Sequence, residues 1–161
     1  MGIMSTATNA LQSILGGETG LSWALSEGRA GNADTVLRTA DIKSENVSID
    51  VAEKSPVRYP VVLIYCDRLV NEQREKFAIV SGTLSVVVEV RASGNSIAAV
   101  SGQTLDYVEA ILAVLDCHKG EWATGIQYCG GYDVSFQQIK RGGSQLLQVT
   151  RIALPLQICK R

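Results

Sequence analysis

Between residues 77 and 94 the chain reads FAIVSGTLSVVVEVRASG, a run too apolar and too rich in valine to be a loop. At its centre Leu84, Val86, Val88 and Val90 fall on one face of a pleated strand, while Thr83, Ser85, Val87, Glu89 and Arg91 fall on the other. This alternation predicts a long strand with one packed face and one partly wet face, as in an antiparallel sheet covered on a single side. The packed face needs something to pack against, and the flanking sequence supplies it.

Upstream, Pro60 biases Tyr59 towards an extended backbone, and PVVLIYCDRLV continues as a strand. The polar NEQREK, residues 71–76, reads as a solvated turn between the two strands. Downstream, Asn95 or Ser96 can cap a helix in which Ile97, Val100, Thr104, Val108, Ile111 and Leu115 recur at spacings of three and four, widened by Leu105 and Leu112. That stripe is broad enough to cover the sheet's apolar face, and Lys119-Gly120 closes the helix after His118. GIQYCGGYDVSFQQI (125–139) and QLLQVTRIALPLQI (145–158) then read as strands joined through a glycine turn at Arg141–Ser144. Pro155 has no N–H for a ladder, so the last strand is expected at an edge or bulged there.

The first 55 residues read differently. A short amphipathic helix from Thr6 to Leu15, with Leu11, Ile14 and Leu15 on one side, stops at Gly16 and Gly17. Residues 18–55 are polar and glycine-punctuated, an irregular extended arm in which Val47, Ile49 and Val51 alternate as one possible strand. An arm this long is uncommon in a compact domain unless it serves an interface or a lid. The expectation is a single α+β domain over residues 1–161, with an N-terminal helix and arm over 1–55 and a core over 56–161. That core is a mainly antiparallel sheet of about four strands with one long helix on one face.

At 161 residues, 46% hydrophobic and 19% charged, the chain has the length and apolar content of one folded domain. No apolar run approaches the roughly 20 residues that span a bilayer, and the N-terminus lacks a basic segment leading into an apolar one, so the chain reads as cytosolic. A formal net charge of -1 gives no polycation for nucleic acid or a membrane surface. The charge is unevenly distributed, however. After Asp133 there are five basic residues (Lys140, Arg141, Arg151, Lys160, Arg161) and no acid, whereas the rest carries ten basic against sixteen acidic residues. A basic edge on an acidic body suits head-to-tail contacts between copies or a mildly basic edge near nucleic acid.

Reactive chemistry is sparse. His118 is the only histidine and would have to serve every Ser-His or Cys-His mechanism, and at a helix C-terminus it reads as a partner of the helix dipole. There is no GxSxG elbow and no phosphate-binding glycine loop. Cys66, Cys117, Cys129 and Cys159 form no CxxC pair and read as buried free thiols, and Cys117-His118 is a poor chelate because neighbouring helical side chains diverge by about 100°. Glu109 and Asp106 share a helix face opposite the apolar stripe and read as solvated. Tyr128, Tyr132 and Phe136 alternate on one strand and read as core or interface rather than a base-stacking platform. No enzyme, cofactor or metal is expected.

YPVVLIYCDRLVN, GTLSVVVEVRASG, LDYVEAILAVLD and GIQYCGGYDVSFQQIKRGGSQLLQVTRIALPLQI, in that order between Tyr59 and Ile158, resemble tail terminator and minor tail proteins of long-tailed bacteriophages. The resemblance implies a structural virion protein at the neck-tail junction, made in the host cytoplasm. Its copies form a ring, typically a hexamer, that caps the tail tube, joins it to the neck proteins and leaves a channel through which DNA passes without sequence-specific binding. The implied partners are further copies of the chain, the tail tube protein and a neck or head-completion protein. The candidate assembly residues are Asn71, Glu72, Arg74 and Lys76 in the first turn, Glu89 and Arg91 on the outer strand face, and Lys140 and Arg141 in the last hairpin. Two alternatives stay open: another neck or head-completion adaptor, and a small cytosolic ligand-binding domain with an apolar pocket between helix and sheet.

Overall fold

A computed structural model describes residues 2–28, 41–47 and 58–161. In chain order its elements are α1 (Ile3–Gly16), α2 (Leu21–Gly28), β1 (Ile42–Lys43), β2 (Val61–Asn71), β3 (Val80–Gly94), α3 (Ile97–Cys117), β4 (Gly120–Ala123), β5 (Ile126–Tyr128), β6 (Asp133–Phe136), β7 (Lys140–Gly142) and β8 (Gln145–Lys160).

The valine alternation is realised in β3. Leu84, Val86, Val88 and Val90 are fully buried, against Val62 and Ile64 of β2 on one side and Ile152, Leu154 and Leu156 of β8 on the other. Helix α3 lies on this face. Ser96 caps it by accepting a hydrogen bond from the Ala99 N–H at 3.2 Å, which satisfies one of the donors a helix start leaves open. The buried stripe runs through Val100, Thr104, Tyr107, Val108, Ile111, Val114 and Leu115, so it is rotated from the expected one and leaves Ile97 and Leu105 in solvent. Contrary to the sequence expectation, α3 is long and apolar enough to cross a membrane by length and composition, but here its stripe is spent on the core.

The sheet corrects the expected count of about four strands. Eight strands, in the order β1-β2-β3-β8-β5-β4 with β6 and β7 also on β8, curl into a half-barrel. It is also mixed, because β1 runs parallel to β2. Three features of the chain account for the difference. First, β8 is 16 residues long, so one of its edges pairs with β3 throughout while the other takes β5, β6 and β7 in succession. Second, β4, Gly120–Ala123, is too short for a periodic signal, and its Trp122 Nε1 donates to the His118 carbonyl at 2.7 Å, folding it back on the end of α3. Third, the expected arm contains α2, which packs on α3, and β1. Val47 lies outside any strand, and Ile49 and Val51 fall outside the described residues.

Pro155 therefore sits in a central strand, not at an edge. On the β5–β6 side of β8, pairing stops at Leu156 and resumes at Ala153, and the chain loops through Cys129–Tyr132 across the gap. The missing N–H is accommodated by an interruption in the neighbouring strand. Gly82, where β3 turns in towards β2, is fixed by close approach, because a Cβ there would stand 2.0 Å from the Val70 carbonyl oxygen.

Candidate assembly surfaces

The turn between β2 and β3 is built by Asn71. Its side-chain oxygen accepts from the backbone N–H of Gln73 at 3.2 Å and of Ser81 at 3.0 Å, and the Glu72 N–H donates to the Ser81 carbonyl at 2.9 Å. Gln73 takes a left-handed backbone, φ 47°, to close the turn. Residues 71–77 are all exposed, as expected for the polar segment, with Glu72 ion-paired to Arg74 and Glu75 held by Arg161 at 3.3 Å. The sequence reading missed the two residues that follow. Phe77 is 91% and Ile79 is 69% exposed, because the ladder begins only at Val80. Phe77 lies in the turn and Ile79 in the bend before β3, outside the alternation that buries the strand's apolar residues.

The Lys140–Ser144 hairpin closes through Gly143, φ 72°, with Gly142 opposite Gln145 and both Lys140 and Arg141 exposed. It adjoins the start of β8, whereas the β2–β3 turn adjoins its end. Fifteen residue steps of strand, about 50 Å along its path, separate them, so the basic hairpin and the mixed-charge turn form no common patch.

Glu89 and Arg91 are not free for contact with a neighbouring copy. They are 2% and 4% exposed, on the face away from α3. Glu89 Oε1 accepts from Arg91 Nε at 2.7 Å, and its Oε2 accepts from Tyr65 Oη at 2.9 Å and Arg151 Nε at 2.9 Å. Arg91 in turn donates to the Val47 carbonyl, so the segment that begins with β1 reaches this face at Val47. It is held at its other end by the short β1 ladder and by Gln12 Nε2 donating to the Ile42 carbonyl at 3.0 Å. Burial pushes the Glu89 carboxyl up, but the donors Arg151, Arg91 and Tyr65, with the charge on Arg91, together hold it below its ordinary value. Burial and the Glu89 charge push the Tyr65 phenol up to about 12. All of this makes a structural clip of one acid and two arginines, with Arg151 half in solvent.

Two clefts open at the sheet end that carries the β2–β3 turn. One, about 450 Å³, has a polar lining that includes Arg74, Glu75, Glu121, Gln127 and Gln157. The other, about 520 Å³, lies between the first turn of α1, the β4–β5 turn and the end of β8, and is lined by Ile3, Thr6, Ile126, Cys159, Lys160 and Arg161 among others.

The remaining candidates separate. Tyr128 is buried against Trp122, ring centroids 5.0 Å apart, while Tyr132 and Phe136 are 44% and 50% exposed beyond the strand break. His118 Nδ1 donates to the Val114 carbonyl at 2.7 Å at the end of α3. The cysteines are not buried as expected: Cys117 and Cys129 are exposed, Cys66 and Cys159 half-buried, and all four are free. Among the described residues no group of three or more His, Cys, Asp or Glu side chains is placed to hold a metal. No protein-family model matches the chain, and no curated protein matches it significantly.

Proposed function

We propose that the chain is the subunit of a tail terminator ring of a long-tailed bacteriophage, capping the tail tube and joining it to the neck. The observation that carries this reading is the end of the sheet at the β2–β3 turn. There a rigid, hydrogen-bonded turn holds a nearly fully exposed Phe77 and an exposed Ile79 among charges of both signs, beside an apolar cleft. Large apolar side chains held out in water on a fixed scaffold are the mark of a contact surface. A ring built from one kind of subunit needs two different surfaces on each copy, and this end of the sheet offers both. In the same reading the distant Lys140–Arg141 hairpin meets a different partner, the tube or the neck.

The test is the mass of the purified protein in solution across a concentration series, with and without tail tubes, followed by negative-stain images of any large species. A ring of about six copies, formed alone or on adding tubes, is the expected result. A protein that stays monomeric and ignores tubes would leave the small ligand-binding reading, with the cleft beside α1 as its pocket, as the better account.

A further inference from the structure

We propose that the polar cleft beside the β2–β3 turn, on the sheet face away from α3, binds a neutral sugar through Ser81, Glu121, Gln127 and Gln157. The site goes beyond the ring and does not depend on it, since its ligand is small and its floor lies within one chain.

The strand ladder sets that floor. Gln157 of β8 stands opposite Gln127 of β5, and Gln127 stands opposite Glu121 of β4. Residues directly opposite one another share a sheet face, so three planar polar groups form a row across strands about 4.8 Å apart. Ser81 of β3 adjoins the row, because its partner Cys159 is two residues from Gln157 and on the same face. All four side chains belong to the lining of the cleft of about 450 Å³, a volume that suits a small ligand.

The polar groups there are held but not used up. Ser81 is 4% exposed, and its backbone is fixed by the turn: its N–H donates to Asn71 Oδ1 at 3.0 Å and its carbonyl accepts from the Glu72 N–H at 2.9 Å. Its hydroxyl has no hydrogen-bond partner among the described residues, and a buried hydroxyl is costly unless bonded. The carboxamides of Gln127 and Gln157 are likewise unbonded among the described residues. Glu121 gives Oε1 to the Gly125 N–H at 3.3 Å, which leaves its other oxygen for a ligand.

Charge and backbone select the ligand class. Arg74 in the cleft wall is paired with Glu72, and Glu75 is paired with Arg161 at 3.3 Å. An anion would therefore meet Glu121 with no unpaired cation of the lining to offset it. Both strands under the carboxamides are engaged in ladders on this floor, so an extended peptide finds no edge to join. What remains is a set of donors and acceptors side by side: each carboxamide offers both, the carboxylate oxygen accepts, and the hydroxyl does either. Neighbouring hydroxyls on a sugar ring, each a donor and an acceptor, match that set.

The experiment uses the full chain with glucose, galactose, mannose and N-acetylglucosamine as probes. Binding is followed by saturation-transfer NMR, which reads the sugar's own signals whether the chain is a monomer or a ring. At least one of the four should bind with Kd on the order of 1 mM, and Gln127→Ala and Gln157→Ala should each weaken it about 10-fold. Both glutamines are exposed, so the urea midpoint of each variant should stay at that of wild type. Absence of binding by all four sugars overturns the proposal. Binding that neither substitution weakens places the sugar elsewhere and overturns it too. Displacement of the sugar by inorganic phosphate would make the site an ionic one and overturn the assignment of a neutral ligand. Rings that bind no sugar overturn the cleft alone, and a sugar-binding monomer that ignores tubes keeps the cleft and overturns the ring.

Discussion

Both faces of β3 bury side chains, but by different physics. Under α3, Leu84, Val86, Val88 and Val90 belong to the hydrophobic core, where the buried Thr150 opposite Val90 is a polar exception. On the opposite face Val87 lies beside Glu89 and Arg91, and burial there is tolerated because every oxygen of Glu89 is engaged. The first face gains from area removed from water and is indifferent to which apolar groups supply it. The second gains little net energy from its ions, since desolvation offsets most of their attraction, but it fails if one ion is removed alone. Apolar burial degrades in proportion to what is deleted, and ionic burial degrades according to what is left behind.

The largest expected effect follows from that asymmetry. Glu89→Ala leaves the Arg91 guanidinium buried without its acid and should cost about 4 kcal/mol by urea unfolding. Replacing both, Glu89→Met with Arg91→Met, should cost far less than the single change, because Arg151 is half exposed and keeps its hydration. A double variant as unstable as the single would show that the clip is a net source of stability.

Leu154→Ala, on the dry face opposite Val86, should cost about 3 kcal/mol as lost burial plus the cavity left behind. No second substitution of an ionic partner can rescue it, since none exists. Combining it with Glu89→Ala should be close to additive, and strong coupling would mean that the two faces are not independent.

Acid separates the faces without mutation. The folded pKa of Glu89 lies below its ordinary 4.5, so its contribution is fully present above that value and is lost as pH falls through it towards the folded value. Wild type should therefore lose stability more steeply below about pH 4.5 than the double Met variant. Tyr65 works in the opposite direction: its pKa, raised from 10.0 to about 12, favours the neutral phenol in the fold, so its share is present below pH 10 and lost above it. Parallel pH profiles for wild type and double variant would refute the assignment.

The dry face was legible in the sequence because its signals are local. Period-two valines, a serine cap and a three-four stripe each sit within one element. The burial of Glu89 and Arg91 was not legible, because their partners Tyr65, Arg151 and the Val47 carbonyl are far away in sequence, and alternation alone reads any polar position as wet. The short strands failed for a related reason. β1 and β4 have two and four residues, fewer than a periodicity can register, and β1 is placed by parallel pairing with β2. Pro155 showed that a residue without an N–H constrains the neighbouring strand as much as its own. Of the candidate assembly residues, the exposed turns lie where the polar runs placed them, while Glu89 and Arg91 have moved inside and Phe77 has come out.

The smallest effect on stability should come from the part of the molecule least tied to either face. Lys140 and Arg141 are exposed in the three-residue β7 beside the start of β8, in no ion pair among the described residues. Reversing both to Glu should leave unfolding within about 0.5 kcal/mol of wild type. In the ring reading the same change should weaken attachment to tail tubes, because it inverts the charge of the hairpin. It should leave contacts between copies through Phe77 unaffected, since these lie at the other end of β8. Rings that form normally but no longer bind tubes would assign the two ends of the sheet to different partners. Normal binding to tubes would remove the hairpin from the assembly surface and leave the β2–β3 end to carry it alone.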